Sequence, residues 1–196
     1  MKYLIWILVG AISSISSLQA QIPSQMVDFR DDQTYQTVIL DVQLEDGLTI
    51  AKEWMTQNLN YSSPGSFCYK GYPAYCEAFG RLYTWDEART VCPDGWHLPK
   101  VLEWRQLFRT YGGRKYSASA LKEGGESELN ITMGGFGELD GTYIDVGVNG
   151  YYWASEDTDA KQSGLITFHL DTEEVGDTPI GEHHKNSIRC VKDGHY

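Results

Sequence analysis

The sequence has 196 residues, a formal net charge of −11 at pH 7, and many aromatic residues, including six tryptophans and thirteen tyrosines. Such an acidic chain is not expected to bind nucleic acid or anionic lipid, because both need clustered Lys and Arg. It is compatible with cations or neutral glycans as partners, and charge alone does not choose between them. Twenty glycines and few long helical patterns favour a loop-rich fold of short strands.

The N-terminus has the layout of a secretory signal peptide: a positive charge at Lys2, an apolar stretch at residues 3–12, and small and polar residues up to Ala20. The apolar stretch is shorter than the roughly 20 residues that a membrane span needs, and a retained anchor is the alternative. Gln21 follows Ala20, so the cysteine that would make a bacterial lipoprotein is missing. We therefore predict an exported protein, secreted or on the cell surface, without a membrane span in its mature chain.

The predicted domain organisation has three parts. We expect a signal peptide at residues 1–20, a flexible lead at residues 21–27 and a single domain at residues 28–196. The last part is long enough to bury a sizeable core, and neither a repeat nor a linker divides it.

Four cysteines suit an oxidising compartment. Three pairings are possible, and we favour Cys68–Cys76 with Cys92–Cys190, because Cys92 lies on an early predicted helix and Cys190 lies on the last predicted strand. The long loop would remove roughly 4–5 kcal/mol of unfolded-chain entropy, and the short loop roughly 2–3 kcal/mol. Zinc binding is the alternative, but the spacings lack a CxxC pair and thiolates would be oxidised in this compartment.

The N-terminal third predicts strands and loops. Residues 28–42 combine a polar turn at Asp31 and Asp32 with alternating β-branched residues, which indicates a hairpin or an edge strand. A second strand is predicted at residues 48–55. Residues 62–75 contain two prolines and two glycines and are predicted to be a loop that the short disulfide holds in place.

Two helices are predicted next. The first begins after Thr84, which with Glu87 has the spacing of a capping box, and it ends at Pro93. Its buried face would hold Trp85, Ala88 and Cys92. The second spans residues 101–110 and carries a core stripe at i, i+3, i+4 and i+7, followed by two glycines that end it. The residues of that stripe are Trp104, Leu107, Phe108 and Tyr111.

The C-terminal half predicts a long irregular region and then three closing strands. Residues 113–150 are rich in glycine, serine and acidic residues and lose regular periodicity, and such long stretches are usually functional or flexible. The closing strands are predicted at residues 151–155, 165–170 and 187–191. Residues 171–185 are predicted to be a polar connection.

The order of these motifs resembles the Fibrobacter succinogenes major paralogous domain, a family of exported bacterial proteins. The motifs that carry the resemblance are, in chain order, D-F-R-D-D-Q-T-Y-Q-T-V, E-W-M-T-Q-N-L-N-Y, F-C-Y, G-R-L-Y-T-W-D-E-A, C-P-D-G-W-H-L-P, E-W-R-Q-L, G-G, L-K, G-G-F-G-E-L, Y-Y-W-A-S-E and S-I-R-C-V-K-D. Three features depart from the family pattern. These are a longer link at residues 38–51, with an enlarged turn near Glu45-Asp46-Gly47, a lysine at position 100 in place of a helix-capping residue, and the Y-Y-W-A-S-E run itself.

The family is similar in turn to the C-type lectin-like fold. The resemblance implies an α+β domain in which two helices flank a small twisted antiparallel sheet. It also implies that Cys92 pairs with Cys190 and that the long irregular loop region, residues 113–150, carries the ligand surface.

A calcium-dependent sugar site of that fold is not expected here. Such a site needs a carboxylate, a cis-proline and an amide in E-P-N or Q-P-D order, and neither tripeptide occurs. Calcium takes six to eight oxygen ligands, and two acidic clusters offer them. These clusters are Glu156, Asp157 and Asp159, and Asp171, Glu173, Glu174 and Asp177. We interpret both as solvated loop charge and predict no cofactor, with calcium as the alternative.

Cofactor-free glycan binding remains open, because aromatic rings stack on sugars while carboxylates and amides bind sugar hydroxyls. The candidate ligand surface consists of Tyr143, Asp145, Asn149, Tyr151 and Glu156. In an alternating strand half of the Y-Y-W run must face the core, so Trp153 is predicted to be buried. Three further tryptophans, Trp85, Trp96 and Trp104, are also interpreted as core or turn residues.

No catalytic constellation stands out. The fold of formylglycine-generating oxidases is similar, but those enzymes need a close cysteine pair, and all four cysteines here have structural positions. Ser155 and Ser187 lack a G-x-S-x-G context. His183 and His184 are adjacent, so on a strand they would face opposite sides. His97 is interpreted as a hydrogen-bonded turn residue.

We therefore predict an exported, non-catalytic module that recognises a cell-surface glycan or an extracellular protein. The alternative is a secreted enzyme, either an oxidase or a carbohydrate-active hydrolase. A structural component of a surface filament or coat is the third hypothesis.

Overall fold

A computed structural model of the protein describes residues 24–156, 163–179 and 184–194. Thirteen strands lie in these ranges: β1 (Ser24–Asp28), β2 (Gln33–Gln43), β3 (Thr49–Met55), β4 (Ser66–Phe67), β5 (Leu82–Thr84), β6 (Trp96–His97), β7 (Phe136–Glu138), β8 (Tyr143–Ile144), β9 (Asn149–Ser155), β10 (Ser163–His169), β11 (Val175–Pro179), β12 (His184–Asn186) and β13 (Val191–Lys192). Four helices lie in the same ranges: α1 (Pro73–Phe79), α2 (Trp85–Ala88), α3 (Val101–Thr110) and α4 (Ala118–Leu121). A 3₁₀ turn at Tyr69–Gly71 precedes α1.

The described strands form three antiparallel sheets. Their strand orders are β1-β2-β3-β13-β6, β11-β10-β9 and β4-β5-β12-β7-β8. In the first sheet, Val191 of β13 pairs with Trp54 of β3 on one side and with His97 of β6 on the other. The end of the described chain is therefore placed between strands from its first half.

Two hydrophobic clusters form the core. The first lies between the first sheet, α3 and the β9–β10 pair, and it includes Trp54, Trp104 and Tyr152. The second includes Trp85, Trp153 and Cys190. All four tryptophans that were predicted to be core or turn residues are buried, at 0–9 % exposure, so that prediction is confirmed.

Strand β2 contributes to both clusters. Its buried positions change from Tyr35 and Thr37 to Leu40 and Val42, which is a change from odd to even positions. Successive residues of a strand face opposite sides, so the two ends of β2 present opposite faces to the core. Tyr35 packs in the second cluster, whereas Leu40 and Val42 pack in the first.

The N-terminal hairpin agrees with the sequence except at its beginning. The polar turn at Asp31 and Asp32 joins β1 to β2, and Asp32 has a positive φ of 60°. The flexible lead predicted through residue 27 is wrong for residues 24–27. These residues belong to β1 because they pair with β2 from Ser24–Thr37 to Asp28–Gln33.

The first predicted helix is much shorter than expected. Helix α2 ends at Ala88, so Cys92 lies beyond it, and Thr84 makes no side-chain cap hydrogen bond. Gly65 packs against this site: a Cβ there would lie 2.8 Å from Thr84 Oγ1 and from Glu87 Cβ. The Thr84 backbone N–H instead donates to Gly65 O at 2.9 Å.

Helix α3 has the predicted bounds, and three of its four stripe residues are buried while Tyr111 packs at the margin of the first cluster. Lys100 stands at its N-cap, and the Lys100 backbone N–H donates to Glu103 Oε2 at 2.9 Å. One half of a capping box therefore forms without a capping serine or threonine.

Several segments that were predicted to be irregular contain short elements. Helix α1 lies within the loop predicted at residues 62–75 and beyond it, and β11 lies within the polar connection predicted at residues 171–185. The region at residues 113–150 holds α4, β7 and β8, and it buries Leu121, Leu129 and Ile131 in the first cluster. It is therefore packed onto the core over much of its length.

The closing strand predicted at residues 187–191 is interrupted. Ser187 makes an isolated bridge to Tyr152 of β9, whereas Val191 pairs in the first sheet. The chain crosses from one sheet to another between these positions, and so residues 188–190 belong to no strand.

Both favoured disulfides are present, Cys68–Cys76 and Cys92–Cys190. The fold is mostly antiparallel sheet with a few helices and two disulfides, which suits the predicted α+β class. The described ranges hold four helices and three sheets, more than the two helices and one sheet that were expected. Disulfides also suit an extracellular protein. None of the helices in the described ranges is long and apolar enough to cross a membrane. The predicted signal peptide lies outside the described residues.

Candidate functional site

Three of the five predicted ligand-surface residues meet at the start of β9. Tyr151 donates its hydroxyl proton to Asp145 Oδ2 at 2.7 Å, and Asn149 Nδ2 donates to the same oxygen at 2.8 Å. Asn149 Nδ2 also lies 3.1 Å from the Tyr151 hydroxyl oxygen. We call Asp145, Asn149 and Tyr151 the loop polar group.

Local backbone geometry positions the loop polar group. Asp145 has a left-handed φ of 68°, and the backbone N–H of Asn149 donates to Asp145 O at 3.0 Å, which closes a tight turn. Gly147 anchors this turn by donating its N–H to Met133 O at 2.7 Å. Asn149 and Tyr151 are two positions apart on β9 and therefore share one face. The ring of Phe136 packs against Tyr151, with centroids 4.8 Å apart.

Electrostatics keep the Tyr151 hydroxyl protonated. Partial burial and the hydrogen bond to Asp145 raise the pKa of Tyr151 to about 12. The hydroxyl is therefore a hydrogen-bond donor at every physiological pH. The group thus offers a carboxylate, an amide, a phenol and an adjacent ring in one rigid arrangement.

Tyr143 lies on the other face of the β7–β8 hairpin. It pairs with Gly137, whereas Phe136 pairs with Ile144, so the Tyr143 and Phe136 side chains point to opposite faces. The Tyr143 ring lies over Gly137 and packs against the Tyr69 ring at 5.1 Å. The hairpin therefore separates Tyr143 from the loop polar group.

Glu156 is also separate, because it follows the far end of β9. Its neighbour Ser155 donates its backbone N–H to Pro99 O at 3.0 Å and bridges to Lys100, beside the start of α3. The prediction of one five-residue surface is therefore wrong for Tyr143 and Glu156, because Tyr143 lies on the other face of the β7–β8 hairpin and Glu156 follows the far end of β9.

Within the described residues, the acidic clusters do not form a site for a cation. Asp177 forms ion pairs with Arg105 at 2.6 Å and with Arg114 at 2.7 Å, and Glu173 accepts the backbone N–H of Ser119. Asp157 and Asp159 lie outside the described ranges. In those ranges no group of three or more His, Cys, Asp or Glu side chains is arranged to hold a metal.

His97 is part of a network of charged side chains and not only of a turn. Its Nε2 lies 2.9 Å from Glu103 Oε2 and its Nδ1 lies 2.6 Å from Asp193 Oδ1, while Lys52 Nζ donates to Glu103 Oε1 at 2.5 Å. Burial alone would lower the pKa of His97, but the two carboxylates raise it above its usual value. Both ring nitrogens of His97 therefore have a carboxylate partner.

The remaining candidates for catalysis have other partners or positions. His184 Nδ1 lies 3.1 Å from Glu138 Oε2 and its ring packs against Phe136, whereas His183 lies outside the described ranges. All four cysteines are in disulfides. Ser187 Oγ is buried and has no hydrogen-bond partner among the described residues.

Comparison with protein families gives one match. The sequence pattern of the Fibrobacter succinogenes major domain family matches residues 48–192, which is well over half of the chain. The chain belongs to this family. No curated protein matches it significantly, and no solved structure does.

The Fibrobacter major domain of this chain contains the four cysteines, α3 and all five predicted ligand-surface residues. The motif at residues 28–38 that was included in the resemblance lies before the matched range. Strand β2 nevertheless pairs with β3 of the Fibrobacter major domain over seven residue pairs, from Thr37–Met55 to Gln43–Thr49. The β1–β2 hairpin is therefore part of the first sheet, and β1 is one of its edge strands.

Sequence reasoning missed α1 and the cleft beside it in the Fibrobacter major domain. A signal for α1 was present, because Pro73 has the N1 position that starts helices and Tyr72, Tyr75 and Phe79 have helical spacing. The cleft, of about 450 Å³, lies between α1 and the β1–β2 hairpin. Its walls come from segments distant in sequence, and so no local pattern indicates it.

Proposed function

We propose that this Fibrobacter major domain protein is an exported, non-catalytic module that binds a cell-surface glycan through its loop region. The observation that carries the proposal is the loop polar group beside the Phe136 ring. Sugars are bound by an apolar ring face together with a few fixed polar groups. The Asp145 carboxylate supplies such a set together with the Asn149 amide and the Tyr151 phenol, which both donate to its Oδ2 atom.

Rigidity supports the proposal. The loop region is anchored to the core by Leu121, Leu129 and Ile131, which are all nearly fully buried, and by backbone hydrogen bonds such as Ile131 N–H to Leu121 O at 2.9 Å. A surface that is ordered before binding does not lose further conformational entropy when the ligand arrives.

The C-type lectin-like placement belongs to the same proposal. Three features support it: the Cys92–Cys190 disulfide, the α3 helix that packs on the first sheet, and the long region between α3 and β9. In this placement the loop polar group occupies the part of the fold that carries ligand surfaces.

An extracellular protein is the second candidate partner. Four large apolar side chains near the same region are exposed: Leu139 at 53 %, Ile144 at 39 %, Val148 at 45 % and Leu170 at 52 %. The last two are adjacent, because the Leu170 N–H donates to Val148 O at 2.9 Å. Exposed apolar patches mark protein-binding surfaces when they are contiguous.

The test is a glycan array and a cell-wall pull-down with the mature protein, run with calcium and with chelator. We expect calcium-independent binding to one glycan class, weakened about tenfold in Tyr151→Ala and Asp145→Ala. Two matched controls should bind normally: Tyr116→Ala, at a tyrosine that is 59 % exposed near the start of the loop region and outside the loop polar group, and Glu156→Ala, at the far end of β9.

Three outcomes would count against the proposal. Capture of a surface protein without any glycan signal would transfer the assignment to the second candidate. Equal binding by Tyr151→Ala and wild type would remove the loop polar group from the site. Metal-free turnover on a panel of glycans and esters would establish the enzyme alternative.

A further inference from the structure

A row of aromatic rings lies along α1. Tyr72, Tyr75 and Phe79 fall at i, i+3 and i+7 and so share one helix face. The Tyr75 ring lies 6.4 Å from the Tyr72 ring and 6.3 Å from the Phe79 ring, and the latter pair is stacked. Tyr72 is 61 % exposed, and the other two are half-buried. We call these three rings the aromatic ridge.

A buried tyrosine and a disulfide support the aromatic ridge. Tyr69 is only 5 % exposed and supports Tyr75, with ring centroids 5.1 Å apart. The Cys68–Cys76 disulfide ties α1 to the chain that precedes it. A free seven-residue helix is marginal in water, so this support is what holds the three rings in line.

The ridge leads into the cleft between α1 and the β1–β2 hairpin, to whose wall Phe79 also belongs. Six of the residues that line this cleft have amide side chains: Gln33, Gln36, Gln57, Asn58, Asn60 and Asn130. Gln36 is exposed, and its side-chain amide has no hydrogen-bond partner among the described residues. We call this space the amide cleft.

The junction of ridge and cleft is tightly built. Asn58 Nδ2 donates to Phe79 O at 2.8 Å and to Thr132 Oγ1 at 3.2 Å. Asn58 Oδ1 in turn accepts from Arg189 Nη2 at 2.7 Å. The cleft floor therefore holds the C-terminal end of α1.

The charge of the cleft restricts its ligand. Among its described lining residues the charged ones are Glu77 and Glu123, both acidic. The whole chain has a net charge of −11. An anionic polymer would be repelled, whereas a neutral chain of hydroxyl groups matches the amides.

From these observations we infer that the aromatic ridge and the amide cleft form a second binding site, which takes one extended neutral polysaccharide chain. The rings stack on the apolar faces of successive sugars, and the Gln36 amide, which is unpartnered among the described residues, binds hydroxyls of the sugars that enter the cleft. This site lies outside the loop polar group and does not depend on the function proposed for it.

Affinity electrophoresis of the full mature chain tests this inference. The probes are four neutral polysaccharides, namely hydroxyethyl cellulose, laminarin, mannan and dextran, with polygalacturonate as the anionic comparison. We expect retardation by at least one neutral polymer and none by polygalacturonate. Tyr72→Ala and Gln36→Ala should each weaken binding about tenfold, the effect of losing one stacked ring face or one well-placed hydrogen-bonding group.

Matched controls separate this site from general surface effects. Tyr116→Ala removes an equally exposed tyrosine outside the ridge, and Gln43→Ala removes an exposed glutamine at the far end of β2. Both should bind like wild type. Tyr72 and Gln36 are exposed, so their variants are expected to fold, and an unchanged unfolding midpoint in urea verifies this.

Each other outcome overturns the inference in a distinguishable way. Absence of binding to every neutral polymer excludes the site, whatever the glycan array shows. Binding that is lost in Tyr151→Ala but kept in Tyr72→Ala and Gln36→Ala assigns the ligand to the loop polar group alone. Binding that is lost in Tyr72→Ala and kept in Gln36→Ala limits the site to the ridge and contradicts one chain spanning both.

Discussion

Arg189 is a fully buried cation that is neutralised by no carboxylate among the described residues. Its Nη1 donates to Leu129 O at 2.8 Å and Met55 O at 3.2 Å, and its Nη2 donates to Asn58 Oδ1 and to Asn130 O. Burial lowers the pKa of Arg189, but a guanidinium keeps its proton in proteins. These oxygen atoms therefore solvate the charge in place of water.

We predict that Arg189→Met lowers the free energy of unfolding by about 3 kcal/mol, because several buried oxygen atoms lose their donor at once. Urea unfolding measures the change. Arg89→Met is the matched control: Arg89 pairs with the exposed Asp86, and such surface pairs contribute less than about 1 kcal/mol. Equal effects of the two substitutions would show that the buried arrangement is not what stabilises the fold.

Glu103 gives stability a defined pH dependence. Burial would raise the pKa of Glu103, but hydrogen bonds from His97 and Lys52 lower it from 4.5 to about 2. A carboxylate with a lowered pKa stabilises the folded state above its unfolded pKa, and this contribution is lost as the pH falls through the folded value. His97 has a raised pKa, so its contribution is complete below 6.5 and is lost as the pH rises through its folded value.

We therefore predict that Glu103→Gln lowers the free energy of unfolding by on the order of 3 kcal/mol at neutral pH. The difference from wild type should shrink as the pH falls below 4.5 toward 2. Urea unfolding as a function of pH measures it. Glu45→Gln, at an exposed carboxylate 3.4 Å from Arg109, should show little difference at any pH, and a pH-independent effect of Glu103→Gln would contradict the argument.

For individual residues, sequence patterns predicted which side chains are buried better than they predicted which side chains contact one another. The burial of Trp153 was predicted, whereas the hydrogen bonds that join Asp145, Asn149 and Tyr151 were not. The partners of Arg189 come from residues 55, 58, 129 and 130. No local pattern brings such distant segments together, and so the sequence did not indicate this site.

Among the elements, α1 depends on a close approach at its C-terminal end. Gly80 has φ +73°, and a Cβ at this position would lie 2.7 Å from Asn58 Cβ and 2.9 Å from Leu59 O. Gly71, at the other end of α1, has the same φ of +73° but open space around it. A substitution at Gly71 therefore reports only the cost of a left-handed backbone, whereas a substitution at Gly80 adds the cost of a steric clash.

We predict that Gly71→Ala lowers the free energy of unfolding by about 1–2 kcal/mol, the cost of a left-handed backbone for alanine. Gly80→Ala should cost at least about 2 kcal/mol more, because the Asn58–Leu59 backbone must also move. Thermal and urea unfolding compare the variants. Similar losses in the two proteins would mean that the helix end is not tightly packed.

Helix α3 could be predicted from sequence because its apolar stripe repeats over ten residues and two glycines follow it. Helix α2 was predicted too long: it ends at Ala88, and the Thr90 N–H beyond it donates to Glu87 O, only three residues back, at 3.1 Å. Short elements such as β11 are fixed by pairing with β10 rather than by their own pattern. Tertiary contacts determine whether such short elements form, and local patterns in a single sequence do not reveal those contacts.

For the molecule as a whole, the two disulfides close loops of very different length. Cys92 and Cys190 are 98 residues apart, whereas Cys68 and Cys76 are 8 residues apart. Loop entropy predicts that the double variant Cys92→Ala with Cys190→Ala loses about 4–5 kcal/mol, and Cys68→Ala with Cys76→Ala about 2–3 kcal/mol. Urea unfolding tests this order, and a larger loss for the short loop would contradict the entropic account.

The segment at residues 187–191 has a consequence for how the protein is made. These residues are all buried, and they contact both hydrophobic clusters, β9 and the first sheet. Until they emerge from the ribosome, β3 and β6 lack the strand between them, and Cys92 lacks its partner. Contacts so distant in sequence form slowly. The first sheet of this protein therefore cannot be completed until residue 191 has been synthesised.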